Sequence, residues 1–156
     1  MRIDRTRVVD APMDAVWNAV RDPSRYPEIL GFGEWEPRGD TTTGVGARYR
    51  LRLQVGSIVL GGDVEIVECD EKCDLAWNSI TGVDQRGRWR LRPAPDGGTT
   101  VTLRLAYQAP GGILGLMADY VAAFYVRRLL DEALDAVVEH VGPGAGRRTA
   151  PQVSPR

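Results

Sequence analysis

The sequence contains no apolar run of the ~18 residues that a membrane-spanning helix needs, and no signal-peptide-like apolar segment near its start. It also carries little excess charge, because the formal net charge is −1 and the arginines are spread along the chain. The first absence argues against stable membrane insertion, and the second argues against nucleic acid as a partner. We therefore expect a cytoplasmic protein.

Histidine and cysteine are scarce as well. The only histidine is His140, and the two cysteines, Cys69 and Cys73, flank residues 70–72 in what we interpret as a tight hairpin. A zinc site needs more ligands than these three residues offer, so we predict no metal, and we expect no cofactor. A disulfide is disfavoured in a reducing cytoplasm. The usual acid-base residue, histidine, is thus missing from the region that we predict as a sheet.

The 156 residues that are present, 43% hydrophobic and 26% charged, fit one globular domain with a sizeable core. A first strand is followed by a helix that begins at Pro12 and stops at Asp22-Pro23, and by a helical turn over Ser24–Tyr26 that ends at Pro27. The predicted strands are Arg2–Val9, Phe32–Arg38, Arg48–Leu53, Ser57–Cys69, Leu75–Ile80, Asp84–Pro93 and Thr99–Ala109. Within the fourth of them, Gly61-Gly62 predicts a bulge or bend.

A long helix is predicted from Ile113 to Val141. One apolar stripe follows the helical period and consists of Ala123, Val126, Leu130, Ala133, Val137 and Val141, headed by Asp119 and widened by Leu129 and Leu134. The first half of the helix has a second apolar face, formed by Leu114, Met117, Val121, Phe124 and Tyr125. Exposed together these side chains would form an unusually large patch, so we expect cover from the 31–33 loop, a homodimer partner or a membrane surface.

The order of these elements predicts an α+β fold in which a curved antiparallel sheet of about seven strands wraps around the long C-terminal helix. Residues 1–141 form the single domain, and the Pro/Gly/Arg-rich residues 142–156 are expected to be a disordered tail. A sheet this curved leaves a cavity under the helix. Arginines at alternate strand positions are assigned to the outer, solvated face, namely Arg48, Arg50, Arg52, Arg86, Arg88, Arg90 and Arg92.

Several short motifs carry a resemblance to a known family. They are Val9–Pro12, Val16-Trp17, Asp22 with Tyr26-Pro27, Trp77, Gly87–Arg90 and the Gly97–Thr99 turn. With the element order, they resemble the helix-grip (SRPBCC) superfamily of START-like, birch-pollen-allergen-like, coenzyme-Q-binding and polyketide cyclase/dehydrase proteins. The resemblance implies a cavity that holds an apolar or aromatic small molecule, and in some members cyclisation of polyketide chains.

Inward strand phase and the apolar helix stripe select the candidate ligand-binding residues. They are Tyr49, Leu51, Leu53, Trp77, Gln85, Trp89, Leu91, Leu103, Tyr107, Val126 and Leu130. Asp119 is the candidate catalytic residue, because a desolvated carboxylate there would have a raised pKa. The alternative is that Asp119 faces water in the first turns of the helix.

Three functions remain open on this basis. The leading hypothesis is binding of a hydrophobic small molecule of polyketide, isoprenoid or lipid type. A polyketide aromatase/cyclase is the enzymatic alternative, and a protein-interaction module that uses the second apolar face of the helix is the third.

Overall fold

The computed structural model describes residues 1–31, 33–55, 57–108 and 115–143, without the side chains of residues 55, 58 and 115–119. Two 3₁₀ turns, Pro23–Arg25 and Pro95–Gly97, accompany the regular elements. These elements are β1 (Arg2–Val9), α1 (Met13–Val20), α2 (Tyr26–Ile29), β2 (Glu34–Pro37), β3 (Arg48–Val55), β4 (Ile58–Asp70), β5 (Asp74–Ser79), β6 (Gln85–Pro93), β7 (Thr99–Tyr107) and α3 (Gly115–Val141). No helix in this part of the chain combines the length and hydropathy of a membrane span.

The strands form one seven-stranded sheet in the order β1-β7-β6-β5-β4-β3-β2, and every neighbouring pair is antiparallel. Apolar and polar residues alternate along β7, where Val101, Leu103 and Leu105 are buried between half-buried neighbours. One face of the sheet therefore belongs to the core, as a half-buried antiparallel sheet requires. The predicted α+β helix-grip fold is confirmed.

The bend in β4 lies elsewhere than expected. The register shifts between Ile66 and Glu68, whereas pairing with β3 continues without a break through Gly61 and Gly62. A Cβ on Gly62 would lie 2.1 Å from the carbonyl oxygen of Thr81, so this glycine allows the β5–β6 loop to approach the strand closely. The prediction of a bulge at the glycine pair was therefore wrong, because the glycines serve a close backbone contact.

The second short helix also differs from the prediction. Pro27 does not end it but lies in the first turn of α2, which continues to Ile29. The first turn needs no backbone N–H from the proline, so the residue is tolerated there.

The stripe of α3 packs on the core as predicted, with Ala123, Val126, Leu130, Ala133 and Val137 all at least nine-tenths buried. At the flank of this stripe, Asp131 pairs with Arg5 at 3.2 Å and with Arg7 at 3.1 Å, and Asp135 pairs with Arg7 at 3.2 Å. Both carboxylates therefore join α3 to β1.

These ion pairs fix the direction of α3 relative to β1. Position 131 lies beside Arg5 and Arg7, and position 135 beside Arg7, so the helix and the strand run the same way. Four helical residues and two strand residues both advance about 6 Å, so position 123 lies near the level of Met1. The first two turns of α3 consequently extend past the start of β1.

The second apolar face of α3 is only partly covered. Val121, Phe124 and Tyr125 are 53%, 61% and 36% exposed, and the neighbouring Tyr120 is 77% exposed. Leu114 and the side chain of Met117 lie outside the described residues, as does Phe32 of the 31–33 loop. The predicted homodimer through this face stays a prediction, and so does the disordered tail, which from residue 144 lies outside the described part.

The outer face of the sheet carries ion pairs between neighbouring strands. Arg48, Arg50, Arg52, Arg88, Arg90 and Arg92 each contact a carboxylate, and Arg86 is exposed. Asp74 is the central acceptor, because Arg88, Arg90 and Arg92 all reach it within 3.5 Å. The outer-face interpretation of the arginine series is thus confirmed.

Candidate functional site

The inner face of the sheet is the one that α3 covers. Arg5 and Leu103 are register partners and share a face, and the Arg5 side chain reaches Asp131 of α3. Toward the middle of this face packing is complete: Trp89, Leu91 and Val101 have 0% exposure and Leu103 has 1%.

Burial is less complete where β7 ends and β6 begins. Leu105, Tyr107 and Val126 keep 7%, 8% and 7% of their surface accessible. Leu53 and Gln85 are half-buried, and Trp77 keeps 4%. We call this group, Leu53, Trp77, Gln85, Leu105, Tyr107 and Val126, the open end. It lies on the same side as the start of β1, past which α3 extends.

The sequence-predicted ligand-binding residues therefore fall into two sets. Leu53, Trp77, Gln85, Tyr107 and Val126 lie at the open end, whereas Tyr49, Leu51, Trp89, Leu91, Leu103 and Leu130 are packed at 0–3% exposure behind it. Leu105 belongs to the open end but was missing from the predicted set, although it shares the inward phase of Leu103 and Tyr107. Direct ligand contact stays a prediction for both sets.

A cluster of aromatic rings forms the interior beside the open end. Trp35 lies at its centre, with ring centroids 5.0 Å from Tyr26, 6.0 Å from Tyr49 and 5.4 Å from Trp77, all edge-to-face. Edge-to-face aromatic pairs stabilise a fold by more than the burial of their apolar surface alone contributes. Trp35 was not among the predicted site residues. The alternation Glu34-Trp35-Glu36 could have identified it, because one apolar residue between two charged ones on a strand is expected to face inward.

The hydroxyl groups of the two tyrosines in this cluster donate to backbone carbonyls and not to a ligand. The Tyr26 hydroxyl donates to the carbonyl of Val20 at 2.5 Å, and the Tyr49 hydroxyl donates to the carbonyl of Thr42. Burial raises the pKa of Tyr26 well above its ordinary value, and the Trp89 indole only partly opposes this shift. Burial also raises the pKa of Tyr49, and the nearby Asp22 carboxylate raises it further. Both hydroxyls stay protonated and tie the helical corner 20–26 and the 42 region to the core.

Trp77 is held in place by its neighbours across β5 and β6. It pairs with Gly87, and a Cβ on that glycine would lie 1.9 Å from Cζ2 of the indole, so the ring lies directly on the glycine. The indole Nε1 donates to Oε1 of Gln85 at 3.5 Å, and the backbone N–H of Gln85 donates to Oγ of Ser79 at 3.1 Å. The glycine, the indole and the amide thus form one fixed unit at the open end.

The remaining candidates for catalysis or metal binding are Asp119 and the two cysteines. The side chain of Asp119 lies outside the described residues, so its predicted catalytic role stays a prediction. Cys69 and Cys73 are free thiols. Among the described side chains, no group of three or more His, Cys, Asp or Glu is placed to hold a metal ion.

Comparison with known proteins gives a family match over nearly the whole chain. Residues 1–142 match the model of the family described as polyketide cyclase/dehydrase and lipid transport. A search of curated protein sequences finds no match.

Solved structures with the same fold come from several bacteria. TTHA0849 from Thermus thermophilus is 21% identical with a TM-score of 0.78, covering 90% of this chain and 97% of that one. The Zhui aromatase/cyclase from Streptomyces is 20% identical with a TM-score of 0.73, covering 97% and 96%. A START superfamily protein from Mycobacterium smegmatis is 16% identical with a TM-score of 0.70, covering 90% and 96%. At these identities the similarity shows the fold alone.

Proposed function

Because the chain belongs to the polyketide cyclase/dehydrase and lipid transport family, we propose that it binds a hydrophobic small molecule between the inner face of the sheet and α3. The ligand is of polyketide, isoprenoid or lipid type. The observation that carries the proposal is the difference in burial along the inner face. At the open end Leu53 is half-buried and Leu105, Tyr107 and Val126 keep 7–8% of their surface exposed, whereas the predicted ligand-binding residues behind it have 0–3% exposure.

Apolar burial alone is sufficient for useful affinity. Covering about 300 Å² of apolar ligand surface contributes about 7 kcal/mol at ~25 cal/mol per Å² before the cost of association. The remaining free energy corresponds to roughly micromolar or weaker binding. No covalent step is needed for this function.

Polyketide cyclisation is the weaker candidate. Moving a proton at a carbon next to a carbonyl needs a group that changes charge near neutral pH. The pKa of Tyr26 and that of Tyr49 are displaced away from neutrality, and both hydroxyls donate to backbone carbonyls. The similarity to an aromatase/cyclase supports the fold, and turnover of a polyketide chain by the purified protein would reverse our preference.

Two measurements test the binding proposal. Native mass spectrometry of the protein as purified should detect a bound hydrophobic compound. Titration with 2-acetylnaphthalene, a flat aromatic probe, should change the emission of Trp77 at the open end.

A pair of variants locates the bound probe. Val126→Phe narrows the open end and should weaken binding about tenfold or more, provided that circular dichroism shows an intact fold. Val121→Phe makes the same substitution on the exposed side of α3, where Val121 is 53% accessible, and should leave the affinity unchanged. Equal affinities of the two variants would show that the probe binds elsewhere.

A further inference from the structure

Gln85 is the amide side chain of an otherwise largely apolar open end. It has the inward phase of Gly87, Trp89 and Leu91 along β6, and its register partner is Tyr107. Its side chain is half-buried. A ligand bound at the open end would therefore pass within reach of one primary amide.

The orientation of this amide follows from its neighbour. An indole N–H can donate a hydrogen bond but cannot accept one. Nε1 of Trp77 lies 3.5 Å from Oε1 of Gln85, so the amide directs its oxygen toward the indole and its NH₂ group away from it. Trp77 cannot turn freely, because its ring lies on Gly87.

The NH₂ group has no acceptor within the described part of the protein, where the bonds at Gln85 are those to Trp77 and Ser79. In the free protein, water can accept a hydrogen bond from this donor. An apolar ligand displaces that water and offers no acceptor in its place, so the hydrogen bond is lost. A ligand that carries an acceptor at this point avoids that loss. An NH₂ group facing the site thus selects between otherwise similar apolar molecules.

We propose that Gln85 recognises a carbonyl oxygen, so that the ligand is an apolar molecule bearing a ketone, quinone or ester group. This specificity rests on the proposed binding function and adds the chemical class of the ligand. Plain hydrocarbons fill the same space but leave the donor without a partner. Trp77 and Gly87 act as positioning residues, because they hold the amide in the orientation that presents its NH₂ group.

The test compares 2-acetylnaphthalene with 2-ethylnaphthalene, two probes of similar shape that differ by a carbonyl. Calorimetric titration of the wild-type protein should show a preference for the ketone, defined as the ratio of the two dissociation constants. Gln85→Met keeps the length of the side chain without a donor and should reduce that preference by about threefold to tenfold, the usual value of a neutral hydrogen bond.

Two further variants isolate the contact. Gln85→Glu still offers an oxygen to the indole of Trp77 but presents a second acceptor to the ligand, so it should also lose the preference. Gln108→Met makes the matched change at an exposed glutamine next to Tyr107 and should retain the wild-type ratio. Trp emission of the ligand-free variants checks that Trp77 has not moved.

The outcomes separate the two proposals. If both probes bind and their ratio is the same in wild type, Gln85→Met and Gln85→Glu, carbonyl recognition is wrong while the binding function stands. Equal weakening of both probes in the Gln85 variants would assign the residue a packing role and likewise overturn the inference. If neither probe binds to the wild-type protein, the binding function fails and the inference fails with it.

Discussion

Gly87→Ala should displace the Trp77 indole. A Cβ at this position would lie 1.9, 2.1 and 2.4 Å from three atoms of the ring, far inside van der Waals contact. Overpacking of this kind costs about 3 kcal/mol at its upper end, whereas replacing glycine by alanine in an allowed conformation stabilises a protein by about 0.4–1 kcal/mol. We therefore expect a net loss of about 2 kcal/mol, or a fall in Tm of about 4–8 °C for a chain of this size.

Urea unfolding and thermal unfolding of wild type and variant measure the effect. Gly61→Ala on β4 is the matched control, because its Cβ would meet its nearest atom, the carbonyl oxygen of Leu51, at 3.1 Å. That contact is tight but not an overlap, so its cost should stay below about 1 kcal/mol. Displacement of the indole should also alter Trp emission in Gly87→Ala and leave it unchanged in Gly61→Ala.

A double-mutant cycle separates the clash with Trp77 from a backbone effect of the alanine. In the Trp77→Leu background the ring is absent, so Gly87→Ala should no longer destabilise, which gives a coupling of about 2 kcal/mol. If Gly87→Ala costs as much without the ring as with it, the contact is not the cause. An unchanged Tm and emission spectrum for Gly87→Ala would refute the packing of the indole on the glycine altogether.

Two further predictions concern the outer face and α3. Burial raises the pKa of the Asp74 carboxyl, but hydrogen bonds from Arg90 and Arg92 outweigh it and hold the pKa below its ordinary value. Since the folded pKa lies below the unfolded one, the stabilisation is present above about pH 4 and is lost as pH falls through the folded pKa. Asp74→Asn should therefore lower the free energy of unfolding more at pH 7 than at pH 3, and an equal loss at both values would contradict the ion-pair cluster. If the protein is a homodimer through α3, Phe124→Arg should sediment as a monomer and the exposed-site control Val8→Arg as a dimer, whereas a wild-type monomer at high concentration would exclude the dimer.

The fold could be predicted because its main signals are periodic. Alternation along Arg48–Leu53 and Thr99–Tyr107, and the helical period of the Val126–Val137 stripe, correspond directly to faces that the structure buries. Local irregularities carried no such signal. The bulge lies between Ile66 and Glu68, where ordinary strand residues stand, while the glycine pair 61–62 serves a contact with Thr81, which is close in space but distant in sequence.

The sequence predicted which face of the sheet carries the candidate site. It did not predict where along the strands the site lies. Strand phase selected Leu53, Trp77 and Tyr107 together with Trp89 and Leu91, and it cannot distinguish an accessible end from a packed middle. That distinction depends on the position of α3 over the sheet. The ion pairs of Asp131 and Asp135 with β1 determine that position, and they join residues more than 120 positions apart in the chain.

The exposed face of α3 and the open end belong to the same region of the helix. Val126 contributes to the open end on one side, and Val121, Phe124 and Tyr125, which lie one to five residues earlier, are exposed on another. Both lie where α3 passes the start of β1, because position 123 lies near the level of Met1. A partner bound on this face would lie beside the open end, so we expect partner binding and ligand binding to influence each other, and such linkage acts equally in both directions.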